Sequence, residues 1–444
     1  MRRVVFVLAF GHGKNVPGAA GRPYTAAVVE AVAAATDALG RGDLETAERL
    51  SREALNAAGS DGSLDARLVL AQALAWQGRG RDADEVLGAV DPAALSQQDL
   101  VAWALPTAAN QFWMLDEPER ATAFLRATRG RLAPGPAVAT VDALLGTFAM
   151  NAGSPARARE LAGQVLADAD ADAQAVGWAA AAAALCGARM GAASDVDDLA
   201  RRAVDAGHPG LLRFTSAFGQ TTTLVLGGHI DRAHALAAGL LDAPGTGHPA
   251  RAVAQLLVAD VALWRGDLDA AARLLEVAAA ALAPTGYSWG PLAWMLLAQT
   301  LGQQGRVADA GRVLSRAEAR HGLKSMLFAP ELALARAWTL HARRDVPGAI
   351  AAAREAARAA ERGGQSAVAV RALLDAVRLG DVRAADGLRR LDVDCPVARL
   401  AVDYAGSLTA RDAAGLAAAA EAFAGIGMAG VAADAARQAS DVRG

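Results

Sequence analysis

The residue types that most often do chemistry are present in this sequence, but they are not arranged for catalysis. The seven histidines fall mostly in turns or at predicted helix ends, and the close pair His229 and His234 is five residues apart. That spacing is poor for two metal ligands on one helix face, and neither His-Glu-x-x-His nor Gly-x-Ser-x-Gly occurs. We therefore expect no catalytic residue, no metal site and no cofactor, and we predict that the protein is not an enzyme.

Phosphate binding and disulfide bonding are not indicated either. The segment 11–15, Gly-His-Gly-Lys-Asn, follows an apolar run, but it lacks the G-x-x-x-x-G-K-[ST] spacing. Asn15 stands where a hydroxyl would ligate Mg²⁺, which excludes a P-loop. Cys186 and Cys395 are far apart in the sequence and form no metal motif, so a reducing cytoplasm is the expected location.

A set of polar and aromatic residues, here called the concave lane, is the candidate binding surface. Six residues before each of the nine turns from Gly78 to Gly380, six of the nine positions are polar, although the helices are rich in alanine and leucine. Further polar and aromatic residues lie two turns earlier on the same face. First helices commonly line the concave side of stacked hairpins, and aromatic rings with amides and hydroxyls suit a peptide or sugar-like ligand. The alternative is that the polar residues are merely solvated and the tryptophans belong to the core. The predicted groove residues are Gln72, Trp103, Asn110, Thr147, Trp178, Thr222, Asp260 and Gln299.

An internal repeat defines the elements that position this lane. A turn residue is followed five positions later by a small residue and eight positions later by a large one, as in Gly266, Ala271 and Leu274. Over the 338 residues between the first and last of these turns the mean period is about 37 to 38, which is typical of helical hairpins. The turn positions with this pattern are Gly42, Gly78, Asp116, Gly153, Gly228, Gly266, Gly305 and Gly380, and two degenerate copies follow Gly191 and Arg344.

The residue types in the repeat predict how the two helices of each hairpin pack together. Glycine adopts positive φ without steric cost, the alanine lets the second helix approach the first, and the large residue fills the groove between them. Each hairpin is covered only when neighbours stack on it. We predict an all-α fold, an α-solenoid of about ten to eleven tetratricopeptide-like hairpins in a superhelix. It occupies residues 25–444 and ends in a degenerate C-terminal cap, with a shorter helix opening at Pro396 and the next helix over 409–424.

Composition agrees with close helix packing and excludes several partners. Hydrophobic residues make up 53% of the chain and aromatic residues 5%. The formal net charge is −3, with 44 basic and 47 acidic residues, so we expect no direct nucleic-acid binding. No apolar run is long enough for a transmembrane helix. Residues 1–24 lack the repeat and any convincing cleavage site, and they are predicted to be a disordered leader or an imprecise gene start.

Two segments resemble the helical-repeat region of large ATP-binding LuxR-type, or MalT-like, transcriptional regulators. They are Val258–Leu275 and Gly415–Ala439, and the similarity spans residues 30–440. In that family a P-loop ATPase precedes the repeats and a helix-turn-helix follows them; neither module is found here. The resemblance implies a non-catalytic sensor or interaction region that binds a protein or peptide, or a small-molecule inducer. The alternative is a stand-alone tetratricopeptide-like assembly scaffold unrelated to transcription.

Overall fold

The computed structural model describes residues 26–59, 63–207, 211–243 and 249–443, so the predicted leader, 1–24, lies outside the described residues. Within these ranges the backbone forms 23 α-helices and no β-strand. In chain order the helices are α1 (Ala26–Gly40), α2 (Leu44–Ala58), α3 (Leu64–Trp76), α4 (Gly80–Gly88), α5 (Gln97–Ala109), α6 (Pro118–Arg129), α7 (Pro136–Asn151), α8 (Pro155–Ala167), α9 (Ala173–Met190), α10 (Val196–Asp205), α11 (Leu212–Leu226), α12 (Ile230–Leu241), α13 (Ala250–Arg265), α14 (Leu268–Leu282), α15 (Trp289–Gln303), α16 (Val307–Arg320), α17 (Ala329–Ala342), α18 (Val346–Arg362), α19 (Ser366–Arg378), α20 (Ala384–Arg390), α21 (Pro396–Ala410), α22 (Ala413–Gly425) and α23 (Ala429–Arg443).

These helices pair into successive antiparallel hairpins, and the predicted α-solenoid is confirmed. Odd-numbered helices from α1 to α19 are the first helices of their hairpins, and each even-numbered helix follows across a tight turn. Two shorter helical segments interrupt the pattern: a π-helical turn, Asn110–Met114, continues α5, and a 3₁₀ segment, Leu323–Phe328, precedes α17.

The turns between paired helices have the backbone conformation that the sequence predicts. All ten predicted turn positions have positive φ, from 59° at Asp116 to 97° at Gly380, and the non-glycine Arg344 adopts 65°. The alanines five residues later are almost completely buried, as at Ala271. The large residue eight positions on is often only partly covered. Leu274 is half-buried, whereas its neighbour Leu275 is fully buried.

The prediction of a shortened helix at Pro396 was wrong. Helix α21 has 15 residues, as many as α1, because Thr409 continues it and bonds through Oγ1 to the carbonyl oxygen of Ala405. Arg411 then takes a φ of 54° and ends the helix. The next helix begins after Asp412, whose side chain accepts from the nitrogen of Ala414.

Successive turns of the superhelix touch each other. Trp76 Nε1 donates to the Tyr287 hydroxyl at 3.1 Å, although the two residues are 211 positions apart. Lys324 Nζ donates across the same separation to the carbonyl oxygen of Trp113 at 2.9 Å. With a mean repeat of about 37 to 38 residues, a separation of 211 residues corresponds to roughly 5.6 hairpins. The concave side of one turn is therefore lined partly by residues of the next.

Candidate functional site

A concave cavity, here called the aromatic cleft, lies between helices α5, α7, α9 and α11. The start of α15 and the 3₁₀ segment before α17 complete it from the following superhelical turn. It encloses about 830 Å³, part of which is open to solvent. Its aromatic walls are formed by Trp113, Trp178, Tyr287, Trp289 and Phe328.

Ring packing holds these walls in place. Trp113 meets Phe148 edge to face, with ring centroids 5.3 Å apart, and its ring lies 5.9 Å from that of Tyr287. Trp289 and Phe328 pack against each other with centroids 6.4 Å apart. Aromatic contacts of this kind add to the energy of burial, so the cleft is largely formed before any ligand arrives.

The polar groups of the aromatic cleft are few and uncharged. Thr147 Oγ1 donates to the carbonyl oxygen of Ala143 at 3.1 Å, and Asn151 Nδ2 donates to the carbonyl oxygen of Thr147 at 2.9 Å. Ser288 donates to the carbonyl oxygen of Lys324. Among the described residues that line the cleft, none is charged. The cleft therefore suits an apolar group better than an ion.

A second cavity, here called the amide pocket, adjoins the aromatic cleft and has about 390 Å³ of empty space, part of which is open to solvent. Gln72 and Asn110 supply its amides, and it shares Ala109, Trp113 and Tyr287 with the cleft. Burial raises the pKa of Tyr287 to about 12, so its hydroxyl is neutral at ordinary pH. The two cavities form a continuous surface on first helices α3, α5, α7, α9 and α11.

The π-helical turn positions Asn110 and Trp113 at the junction of the two cavities. Pro106 lies inside α5 and has no N–H to donate, which weakens the regular ladder just before this turn. The nitrogen of Leu115 then bonds to the carbonyl oxygen of Asn110, and that of Glu117 to the oxygen of Gln111. Single π-helical turns occur frequently at functional sites.

The structure brings four of the eight predicted groove residues to these cavities. Gln72 and Asn110 line the amide pocket, and Thr147 and Trp178 line the aromatic cleft. Thr222 is half-buried elsewhere on α11 and donates to the carbonyl oxygen of its own helix four residues before.

Trp103, Asp260 and Gln299 lie outside both cavities. Trp103 is buried, donates through Nε1 to the carbonyl oxygen of Leu87 at 2.8 Å and packs edge to face on Phe124. Asp260 and Gln299 belong to a buried polar cluster described next. Ligand binding by any of the eight residues remains a prediction.

The polar cluster joins two superhelical turns behind the cleft. Arg189 on α9 pairs with Glu331 on α17 at 2.8 Å, and its Nε donates to Gln365 Oε1 at 2.6 Å. Gln299 Nε2 donates to the carbonyl oxygen of Glu331 at 3.0 Å. Asp260 pairs with an arginine of α19 at 3.1 Å, but burial raises the pKa of this carboxyl more strongly than the arginine lowers it.

This cluster also supports a wall of the aromatic cleft. Arg189 Nη2 donates to the carbonyl oxygen of Leu327 at 2.8 Å, and its guanidinium lies 5.3 Å from the ring centroid of Phe328. Both of these partners line the cleft. The cluster therefore links the distance between superhelical turns to the shape of the cleft.

Sequence reasoning missed Trp113, Asn151 and Phe328 as lining residues. Trp113 lies three positions before its turn, one helical turn beyond the concave lane, and Asn151 lies two positions before its own turn. Extending the lane by one helical turn would have found both. Phe328 enters from the next superhelical turn and has no such signal.

Among the described residues no cluster of three or more histidine, cysteine or acidic side chains could hold a metal ion. None of the helices in the same ranges is long and apolar enough to cross a membrane.

Comparison with known proteins finds distant structural neighbours. No protein-family model matches the chain, and no curated protein matches it significantly. A Rap protein complexed with competence and sporulation factor is 14% identical, with 86% of this chain and 97% of that chain covered and a TM-score of 0.49. The APC/C hetero-tetramer Cut9–Hcn1 is 15% identical, with 94% of each chain covered and a TM-score of 0.27. Likeness at this level does not extend to individual side chains.

Proposed function

We propose that this chain is a non-catalytic scaffold that binds a peptide, or an extended segment of a partner protein, on its concave face. The aromatic cleft is the observation that carries the proposal. Its aromatic, uncharged lining suits a large apolar side chain. Because the rings are already packed, little ordering is needed when such a side chain enters.

The extent of the surface favours an extended chain as the ligand. The aromatic cleft and the amide pocket together follow five successive first helices, from α3 to α11. Neighbouring packed helices lie about 8 to 10 Å apart, so this surface spans roughly 35 Å. An extended peptide of about ten residues covers the same distance.

A variant at the edge of the aromatic cleft tests this function. Leu212 is half-buried, lines the cleft and is the first residue of α11, where an aspartate is favourable for the helix. Leu212→Asp should therefore fold normally while placing a charge beside the apolar ligand. Leu323→Asp is the matched control, because Leu323 is exposed, begins a helical segment and lies outside the cleft.

The assay starts from a phage-displayed library of random ten-residue peptides selected on the wild-type protein. Selected peptides should share a large apolar residue, and their affinity, measured by fluorescence anisotropy, should fall at least tenfold with Leu212→Asp and stay unchanged with Leu323→Asp. Peptides that bind all three proteins equally would remove the aromatic cleft as the site. Failure to select any peptide from such a library would count against peptide binding itself.

The transcriptional setting is a second part of the proposal and rests on the sequence resemblance. In this setting the scaffold is the sensor region of a LuxR-type regulator in the cytoplasm, and a bound peptide or small-molecule inducer favours one arrangement of the stacked hairpins. A neighbouring reading frame that encodes a helix-turn-helix domain would support this setting. An operon without regulatory genes would favour a stand-alone assembly scaffold.

A further inference from the structure

A groove on the second-helix side of the solenoid, here called the outer groove, lies between the neighbouring second helices α14 and α16. Helix α15 forms its floor with Trp294, Leu297 and Leu301. The space that can hold a water-sized group is about 300 Å³ in this groove, against about 70 Å³ in the aromatic cleft. The outer groove therefore has room for a side chain of another protein.

The walls of the outer groove carry one positive charge in excess. Among the described residues that line it are three arginines and two carboxylates. Arg306 and Arg312 both pair with Asp309, and Arg306 also lies 3.6 Å from Glu276. These pairs occupy both carboxylates. Within the described ranges no ion pair joins Arg316 to an acidic side chain, so Arg316 carries the uncompensated charge.

The side chain of Arg316 is both accessible and held in position. Arg316 is exposed, and its Cζ atom lies over the ring of Trp294, 5.2 Å from the centroid. A guanidinium over an aromatic face is attracted to the ring, while the N–H groups at its edge stay free to donate. Two such N–H groups match the two oxygens of a carboxylate. Because the ring already restrains the guanidinium, less ordering is needed when a carboxylate binds.

An earlier repeat shows how an arginine on this side of the solenoid is satisfied. Asp142, eleven residues before its turn, accepts bonds of 2.6 and 2.8 Å from Arg129. Trp294 has the equivalent position, eleven residues before the turn at Gly305. A tryptophan therefore stands where the earlier repeat has its carboxylate. The arginine above this tryptophan needs a carboxylate from outside the chain.

The charges of the outer groove favour a single carboxylate over a polyanion. Only one positive charge is uncompensated, and Glu276 and Asp309 repel any further negative charge. A phosphate group carries nearly two negative charges at neutral pH, and nucleic acid needs a row of cations along its phosphates. One carboxylate balances the groove. The methylene groups of a glutamate can lie against Ala280, which is exposed on the opposite wall.

We propose that the outer groove binds a glutamate side chain from an acidic segment of a partner protein, and that Arg316 recognises its carboxylate. The occupant is defined by charge complementarity with Arg316. No described residue lines both the outer groove and the aromatic cleft, so this proposal is independent of the proposed function. The scaffold then holds one chain segment on its concave face and a second segment on its outer face.

The test uses seven-residue peptides displayed on phage, with a central glutamate and six randomised positions. Peptides are selected on the wild-type protein in the presence of excess Arg316→Gln protein, which removes peptides that bind other surfaces. Affinities of the selected peptides are measured by fluorescence anisotropy. Analogues with glutamine or phosphoserine in place of the central glutamate are measured in parallel.

The glutamate peptide should bind the wild type at least fivefold more tightly than its glutamine analogue does. Arg316→Gln should weaken the glutamate peptide at least fivefold and change the affinity of the glutamine analogue less than twofold, because both changes remove the same contact. Raising the salt concentration should weaken the glutamate peptide more than the glutamine analogue. Arg316 is exposed, so Arg316→Gln should keep the circular dichroism spectrum of the wild type.

Arg232→Gln is the matched control, because Arg232 is also exposed on a second helix, α12, and lies outside the outer groove. It removes the same charge and should leave both affinities unchanged. Equal losses with Arg232→Gln and Arg316→Gln would overturn the inference, since net charge would then attract the peptide. Equal binding of the glutamate and glutamine peptides to wild type, or failure to select any peptide, would also overturn it.

Two further measurements identify the ligand group and the site. Tighter binding of the phosphoserine analogue than of the glutamate peptide would overturn the inference in favour of a phosphate. Leu212→Asp, which alters the aromatic cleft, should leave the affinity of the glutamate peptide unchanged. A loss with Leu212→Asp would mean that the peptide occupies the concave face, which would refute the outer groove as its site and leave the proposed function standing.

Discussion

Replacing Glu331 with glutamine should destabilise the contact between superhelical turns more than any comparable surface change. The side chains of Arg189 and Glu331 are 3% and 4% exposed, and two contacts of 2.8 and 3.1 Å join them. Glu331→Gln keeps the shape but removes the carboxylate that pairs directly with the guanidinium. Breaking a buried pair in this way costs about 3 to 5 kcal/mol. We expect about 3 kcal/mol, because Arg189 keeps its bonds to Gln365 and to the carbonyl oxygen of Leu327.

Urea unfolding followed by far-ultraviolet circular dichroism measures this cost. With an m-value of about 3 kcal/mol per molar urea, the midpoint should fall by roughly 1 M. Glu53→Gln is the control, because Arg49 and Glu53 form an exposed pair whose loss should cost less than about 1 kcal/mol. Hydrogen exchange should accelerate first in α9, α17 and α19, because the cluster joins these helices.

Three results would refute the reasoning. A cost below about 1 kcal/mol would mean that the pair is solvated or rearranges easily. A cost equal to that of the Glu53→Gln control would also mean that the Arg189–Glu331 pair is solvated or rearranges easily. A large cost without faster exchange in α9 would mean that the pair does not hold the two superhelical turns together.

Three further predictions concern packing, backbone conformation and pH. Leu275→Ala should cost about 2 to 5 kcal/mol in urea unfolding, and Leu274→Ala clearly less, because only the former is fully buried. Gly266→Ala should lower the melting temperature more than Gly42→Ala. Both glycines have positive φ, but a Cβ at position 266 would lie 2.5 Å from the backbone nitrogen of Gly430, whereas no atom lies within 4 Å of a Cβ at position 42. Raising the pH from 10 to 12 should destabilise wild type more than Tyr287→Phe. Burial raises the pKa of the Tyr287 hydroxyl from 10.0 to about 12 in the folded protein, so the phenol ionises first in the unfolded chain. The stability that the neutral phenol contributes is therefore complete below pH 10 and is lost as the pH rises to 12. Equal pH dependence of the two proteins would contradict the burial of this phenol.

The sequence was sufficient for the features that depend on neighbours along the chain. The turn positions, including Asp116 and Arg344, were predicted from spacing alone, because positive φ and a close-packed alanine are requirements of each hairpin by itself. The error at Pro396 arose where the repeat spacing weakens. The concave lane was visible as a periodic set, but periodicity does not distinguish a side chain in a cavity from one in the core, as at Trp103.

Only the tertiary structure decided what the concave surface contains. The amide pocket exists because Tyr287 reaches Trp76, and the cleft wall is held because Arg189 meets Glu331. These partners lie 142 to 211 positions apart, and they meet only because a small rotation at each repeat accumulates until the superhelix contacts itself. The sequence determined each hairpin, and the summed geometry of many hairpins determined the site.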